Sequence, residues 1–487
     1  MTEVRTQARP GRTLGILTLA AASFALAQTT VLPALGAMAS ALHASAASVA
    51  WTLTGYLVAA AVLTPVFGRL GDMFGKRRLL VISLGVFAAG GVIAALAGGL
   101  PLLIAGRVLQ GAGGGIYPLC FGIVRDEFPE SRRAGAIGLI SATVGIGGGL
   151  GLVLGGVLVQ DASYHWIFWS GAALAAVTAV AAELLVPESP QRTAGRLDIT
   201  GTVLLAAGLT MPLIAVSQAG AWGWGSARTI GLIVGGLAVL AAFVAFERRS
   251  PAPLVHIPTL ANPAVLITNI STLLMGFGML GVFLLIPQLA ETPRAAGYGF
   301  GADAIVAGLL LVPASLIMMV AGPLSGRLSD RFGSKVPMAL GCLTTAAGLM
   351  MLAAQHGSEG AVLGWAVLLY AGVGLAFAAM PNLIVDAVPA DKTGEATGVN
   401  TLIRTAGGSV GAQVSASILA GSVTAATGLP TGHSYTVAFL VSGAAAAVAA
   451  VAAVLIPRQA RHHHVTVLEE IGAAAPLPDP AQAGDGS

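Results

Sequence analysis

Two arginines stand where only apolar neighbours would be expected: Arg107 inside the run 101–124 and Arg404 inside the run 395–420. An ionised side chain at such a depth is expensive unless it meets a partner or water, so each is read as pointing inward among helices. Arg107, near one end of its run, has a second option, reaching the interface along its own long side chain. The acids that could exchange a proton beside such groups are Asp72, Glu183 and Asp386, because a neighbouring guanidinium depresses a carboxylate pKa. This is the chemistry of reversible protonation coupled to a change of shape, not of bond-making. No HExxH or Walker loop occurs, and an enzyme is not expected. Cys120 and Cys342 both lie in apolar runs, where small packing residues are the expectation, and His462, His463 and His464 sit in an Ala- and Pro-rich tail, so no metal site is expected.

The elements that must position these groups declare themselves by repetition. GRLGDMFGKRR at Gly68–Arg78 returns 258 residues later as GRLSDRFGSKV at Gly326–Val336. The run VRDEFPESRRAGAIG from Val124 returns 260 residues later as IVDAVPADKTGEATG from Ile384, which sets Asp126 on Asp386, Pro129 on Pro389 and Gly138 on Gly398. Each is a charged hairpin between apolar runs, and nearly one offset serves both, so the halves are related by parallel duplication. Composition agrees: 56% of the 487 residues are hydrophobic and 9% charged, against about 25% charged in a soluble domain.

Runs near the ~20 residues that a bilayer requires number fourteen, from 13–37 to 435–456, with those at 199–218 and 229–246 lying between the halves. The expected organisation is a tail at 1–12, a six-helix bundle at 13–186, a linker with two extra helices at 187–261, a second six-helix bundle at 262–456 and a disordered tail at 457–487. With the N-terminus in the cytoplasm, all of the 24 lysines and arginines except Arg107, Arg228, Arg294 and Arg404 fall on the inner side. Both termini are therefore expected to be cytoplasmic. The net charge of +3 is explained by that sorting, and no nucleic-acid partner is implied. In the run 134–158, Gly147, Gly151 and Gly155 recur every four residues beside Gly156, which aligns a smooth face for close helix packing.

GRLGDMFGKRR resembles the loop motif of the major facilitator superfamily: G, three residues, D, two residues, G, then basic residues. Arg107-Val108-Leu109-Gln110-Gly111 and the glycine-rich run are similar to further motifs of that superfamily, and the two inserted helices point to its fourteen-span drug:proton antiporter family. The resemblance implies an all-α polytopic membrane protein with the major facilitator fold. It implies a secondary active transporter in the plasma membrane, a monomer without cofactor, exporting amphiphilic drugs or antibiotic-like metabolites in exchange for protons by alternating access. Proton-coupled import of a small organic nutrient is the alternative.

The residues that the resemblance assigns to a conformational latch and to proton coupling are Asp72, Arg69, Arg77, Asp330, Arg107, Glu183, Asp386 and Arg404, with Asp72 meeting the second half near Thr393 and Gly394. Those it assigns to substrate are Gln28, Thr29, Tyr56, Gln110, Tyr117, Asn269, Phe277, Gln288, Phe377, Asn382 and Asn400. Two departures stand out. Where relatives carry an acid in the first helix this chain has Ala27-Gln28-Thr29-Thr30, and Leu152 replaces the usual proline of the glycine-rich helix. A cavity with two arginines and no deep acid favours a neutral or anionic amphiphile.

Overall fold

Within hydrocarbon a backbone must satisfy its own polar groups, and the apolar runs do so as helices. The computed structural model describes residues 10–189, 198–251, 253–424 and 428–457. Its principal helices begin with α1 (Pro10–Thr29, prolonged beyond a turn by Leu35–Ala41), α2 (Trp51–Phe74), α3 (Lys76–Ala95), α4 (Leu100–Gln110 and Ile116–Glu127), α5 (Glu130–Asp161) and α6 (His165–Leu185). After these come α7 (Ile199–Trp222) and α8 (Ala227–Glu247), then α9 (Pro263–Glu291), α10 (Ala304–Phe332), α11 (Lys335–Ala354), α12 (Glu359–Ala387), α13 (Thr393–Ala420) and α14 (Gly432–Leu455). Arg192, Arg196 and His462–His464 lie outside the described residues.

Among the described residues, twelve helices are long and apolar enough to cross a membrane. The two that fall short have physical reasons. α4 is interrupted by the 3-10 turn Gly111–Gly115. α13 is continuous over 28 residues but carries Glu395, Asn400, Arg404 and Gln413. The fourteen crossings expected from the sequence require these two as well.

Two cores form. One gathers Leu17, Phe87, Tyr117, Phe121 and Ile140 from the first half, the other Met275, Leu311, Leu349, Tyr370 and Phe439 from the second. Val177, Leu184, Val203, Val234, Val320 and Leu455 instead point outward, an apolar exterior suited to lipid.

Glycine sets the joints between bundles. A Cβ on Gly68 of α2 would lie 2.3 Å from the Gly394 carbonyl oxygen of α13, and one on Gly326 of α10 would lie 2.5 Å from Gly135 Cα of α5. The glycine that opens each repeated hairpin therefore occupies a cross-bundle contact in both halves. Along α5, Cβ atoms on Gly147, Gly151 and Gly155 would collide with Ala25 and Thr29 of α1 and with Thr30 just beyond it, at 2.5, 2.0 and 2.2 Å, while Gly145 and Gly149 face Met318 and Ser315 of α10. Gly156 is looser, 3.3 Å from Ile305. Without the proline at Leu152, α5 runs unbroken for 32 residues.

The inserted pair α7 and α8 does not join either core. Leu205, Leu209 and Phe243 pack with Ala61 of α2 and with Val399 and Leu402 of α13. Thr54 of α2 shares a 2.8 Å hydrogen bond with Ser217, and the Trp224 indole donates to Ser417 of α13 at 2.7 Å. The pair is thus bonded to both bundles along one flank.

Candidate functional site

Where α2 ends, Gly75 takes φ +107°, a conformation open to glycine, and the chain turns into α3. The Glu188 carboxylate caps α3, accepting from the amides of Arg77 and Arg78 at 3.1 Å each. One turn earlier Asp72, 1% exposed, crosses to the other half. Its Oδ1 accepts from the Gly394 amide at 3.2 Å and its Oδ2 from the Glu395 amide at 3.0 Å. The bare backbones of Gly68 and Gly394 admit that approach. A carboxylate at a helix N-terminus is favoured by about 0.3–1 kcal/mol, and by up to ~2 when partly buried.

Other charges surround this contact. Lys76 Nζ stands 3.7 Å from Asp72 and 2.6 Å from Asp126 Oδ2, which also accepts from the Ser189 hydroxyl. Arg69 lies 3.6 Å from Glu395, whose other oxygen accepts from the His256 amide at 2.5 Å. Arg125 donates to the Val388 carbonyl at 2.8 Å and to Thr393 Oγ1 at 2.5 Å. The loop after α8 is therefore fastened to the same joint. Desolvation, and then the positive charges of Lys392 and Arg69, lower the pKa of the His256 imidazole in that loop.

Deeper in the protein an aromatic ladder joins the two arginines. Arg107, 0% exposed, donates to Gln110 Oε1 at 2.8 Å and to the carbonyls of Thr52 and Ala27 at 3.3 and 3.4 Å. It also lies 4.0 Å above the Tyr56 ring. From Tyr56 the rings continue through Phe24 at 5.7 Å to Tyr117 at 6.0 Å. Arg404 closes the ladder, 5.8 Å from Tyr117 and 4.7 Å from Phe377 of α12. The two ends differ. Arg107 has carbonyls and an amide; among the described residues no carboxylate pairs with Arg404. Its rings provide about 0.5–2 kcal/mol, and the residue is only partly covered.

Of the residues expected at a substrate site, Tyr56, Gln110, Tyr117 and Phe377 come together with Arg107 and Arg404. Others join helices. Asn400 donates to Asn269 at 2.8 Å and to Thr272 at 3.0 Å, Asn382 reaches the Ala134 carbonyl of α5 at 3.4 Å, and Thr29 donates to the Gly147 carbonyl at 2.5 Å. Gln28 is half-buried, Gln288 is exposed, and the Phe277 backbone abuts Gly411.

The acids separate as well. Glu183, beside Arg77 at 3.7 Å, Asp386, accepting from Ser334 at 3.3 Å, and Asp330 all sit at exposed helix ends, whereas Asp72 is enclosed. Sequence reasoning gave no role to Phe24, Arg125, Glu188 or His256 and noted Asp126 only as a repeat partner. That repeat was a usable signal for Asp126. Glu188 and His256 lie in aperiodic connections and carried none.

The Major Facilitator Superfamily model matches residues 17–412. Similar proteins include the tetracenomycin C resistance and export protein of Streptomyces glaucescens, 30% identical over 85% of this chain and 77% of its own length. The multidrug resistance protein Stp of Mycobacterium tuberculosis is 29% identical over 77% of this chain and 69% of its own. A probable actinorhodin transporter of Streptomyces coelicolor is 30% identical over 75% of this chain and 65% of its own. Among solved structures, the human organic anion transporter TETRAN superposes with a TM-score of 0.64 at 14% identity, covering 91% of this chain and 99% of its own, and shares the fold alone. With two separately cored bundles meeting at glycine joints and a family match spanning most of its length, this chain is a membrane transporter of the major facilitator superfamily, not an enzyme.

Proposed function

We propose that the chain exports amphiphilic drugs or antibiotic-like metabolites in exchange for protons, by alternating access. The observation that carries this reading is the buried Asp72 carboxylate on the N-terminus of α13, where one proton can decide whether the two bundles hold together. Ionised, Asp72 complements the helix terminus and Lys76. Protonated, it loses both attractions and the joint loosens. Glu183 and Asp386 lie at exposed helix ends instead. The export and resistance proteins among the relatives support the outward direction.

In the proposed topology α4 and α13 cross the membrane alongside the twelve apolar helices, giving fourteen spans with both termini cytoplasmic, and the Asp72 joint closes the cytoplasmic end of a monomer in the plasma membrane. The substrate, neutral or anionic, sits among the ladder residues. No cofactor takes part, and the proton gradient supplies the energy.

Membrane vesicles test the direction. In inverted vesicles energised by respiration, a fluorescent amphiphilic drug should accumulate and an uncoupler should abolish accumulation. Gradient-driven uptake into right-side-out vesicles would establish import of a nutrient instead. A drug-susceptibility panel in a pump-deficient host then narrows the substrate.

A further inference from the structure

Resting on the reading that the ladder receives substrate, we infer that Arg404 is the recognition residue for an acidic group on a flat aromatic substrate, with Tyr117 and Phe377 as the two walls of its slot. Three observations lead there. Arg404 is the one member of the arginine pair whose guanidinium no protein carboxylate or carbonyl satisfies among the described residues, whereas Arg107 spends three donors on Gln110, Thr52 and Ala27. Its side chain is only partly covered, so an incoming anion can reach it. Finally, the two rings beside it belong to different bundles, Tyr117 to α4 and Phe377 to α12, at 5.8 and 4.7 Å.

A planar fork of N–H donors matches the oxygen pair of a carboxylate. Rings on either side match a planar hydrocarbon. Tyr117 is held in place by its hydrogen bond to Thr143 at 2.8 Å and by the edge-on contact with Phe24, so the wall is built before any ligand arrives. Because the walls come from both bundles, an acid bound between them touches both halves of the transporter at once.

Two matched probes, anthracene carboxylate and anthracene carboxamide, test the assignment by fluorescence titration of the purified full-length protein. Wild type should bind both, the acid more tightly. Arg404→Gln should weaken the carboxylate at least tenfold, or about 1.4 kcal/mol, and change the carboxamide less than threefold. Arg404→Lys should recover part of the loss. Phe377→Leu should weaken both probes alike. Thermal unfolding of each variant checks the fold, and Arg404→Lys carries the test if the glutamine variant does not fold. Equal losses for the two probes in Arg404→Gln, no loss for either, or a wild type that binds neither would overturn the assignment. Binding in detergent is independent of transport direction. Selective binding with no outward flux in vesicles would therefore overturn the export reading and leave the acid site standing.

Discussion

Replacing Asp72 by Asn isolates the charge of the joint while preserving its shape. The carboxylate accepts from Gly394 and Glu395 at 3.2 and 3.0 Å and stands 3.7 Å from Lys76. The amide keeps one acceptor oxygen, turns an N–H toward the second backbone donor and carries no charge. Exchanging two charged acceptors for at most one neutral acceptor costs about 1–2 kcal/mol, and losing the attraction to the helix terminus about 0.3–1 kcal/mol more. A total near 2 kcal/mol shifts the balance of joined and parted bundles by about 30-fold. Lys76 keeps Asp126 at 2.6 Å, so the α2–α3 hairpin itself should survive. Spin labels at exposed Phe74 and Asp391, with the buried Cys120 and Cys342 replaced by serine, report the separation by pulsed dipolar spectroscopy. The Asn variant should gain a long-distance population and lose drug efflux while remaining folded in the membrane. An unchanged distance distribution together with normal efflux would refute the reasoning.

Gly68→Ala brings a methyl group within 2.3 Å of a backbone oxygen and should part the same joint, giving the long-distance population without altering any charge. Gly151→Ala collides with Thr29 and should lower stability by about 1–3 kcal/mol, seen as a reduced unfolding temperature in detergent. Arg107→Ala leaves Gln110 and two carbonyls without a buried donor, at about 1–3 kcal/mol each for groups that water does not reach; a folded variant of wild-type thermal stability would contradict that assignment. His256, whose pKa is lowered, favours the neutral form in the fold. Stability from its loop is therefore complete above the pKa of unfolded histidine and lost as pH falls from there through the lowered pKa of the fold. Protection factors for hydrogen exchange across residues 254–260, corrected for the intrinsic rate at each pH, should fall on acidification in wild type and not in His256→Asn.

The fold was legible because a bilayer forces a simple code. Apolar length and the sorting of charges delineate helices, and the repeats of Gly68 in Gly326 and of Asp126 in Asp386 expose the duplication. Helix packing was legible for the same reason: glycines spaced by four in α5 can do little but meet another helix. The site was legible in part. An arginine in an apolar run must turn inward, which places Arg107 and Arg404 among aromatic rings. What the arginines and acids touch depends on contacts such as Asp72 to Gly394, 322 residues apart, for which one sequence holds no local signal. Duplication misled in one respect, since Asp72 and Asp330 share a motif position while only Asp72 is enclosed.

The inserted helices also bear on how a lipid-dissolved molecule reaches the interior. α7 and α8 lie over the flank where α2 meets α13, and their Leu205, Leu209 and Phe243 fill the surface that would otherwise face the bilayer. Lateral entry from a leaflet is walled off there. A second junction, α5 on α10, is closed by the backbone approach of Gly138 and Gly322. On the export reading proposed above, molecules arriving through the hydrophobic phase would enter elsewhere than at these two junctions, and engineered gaps in the α7–α8 wall should open a portal there.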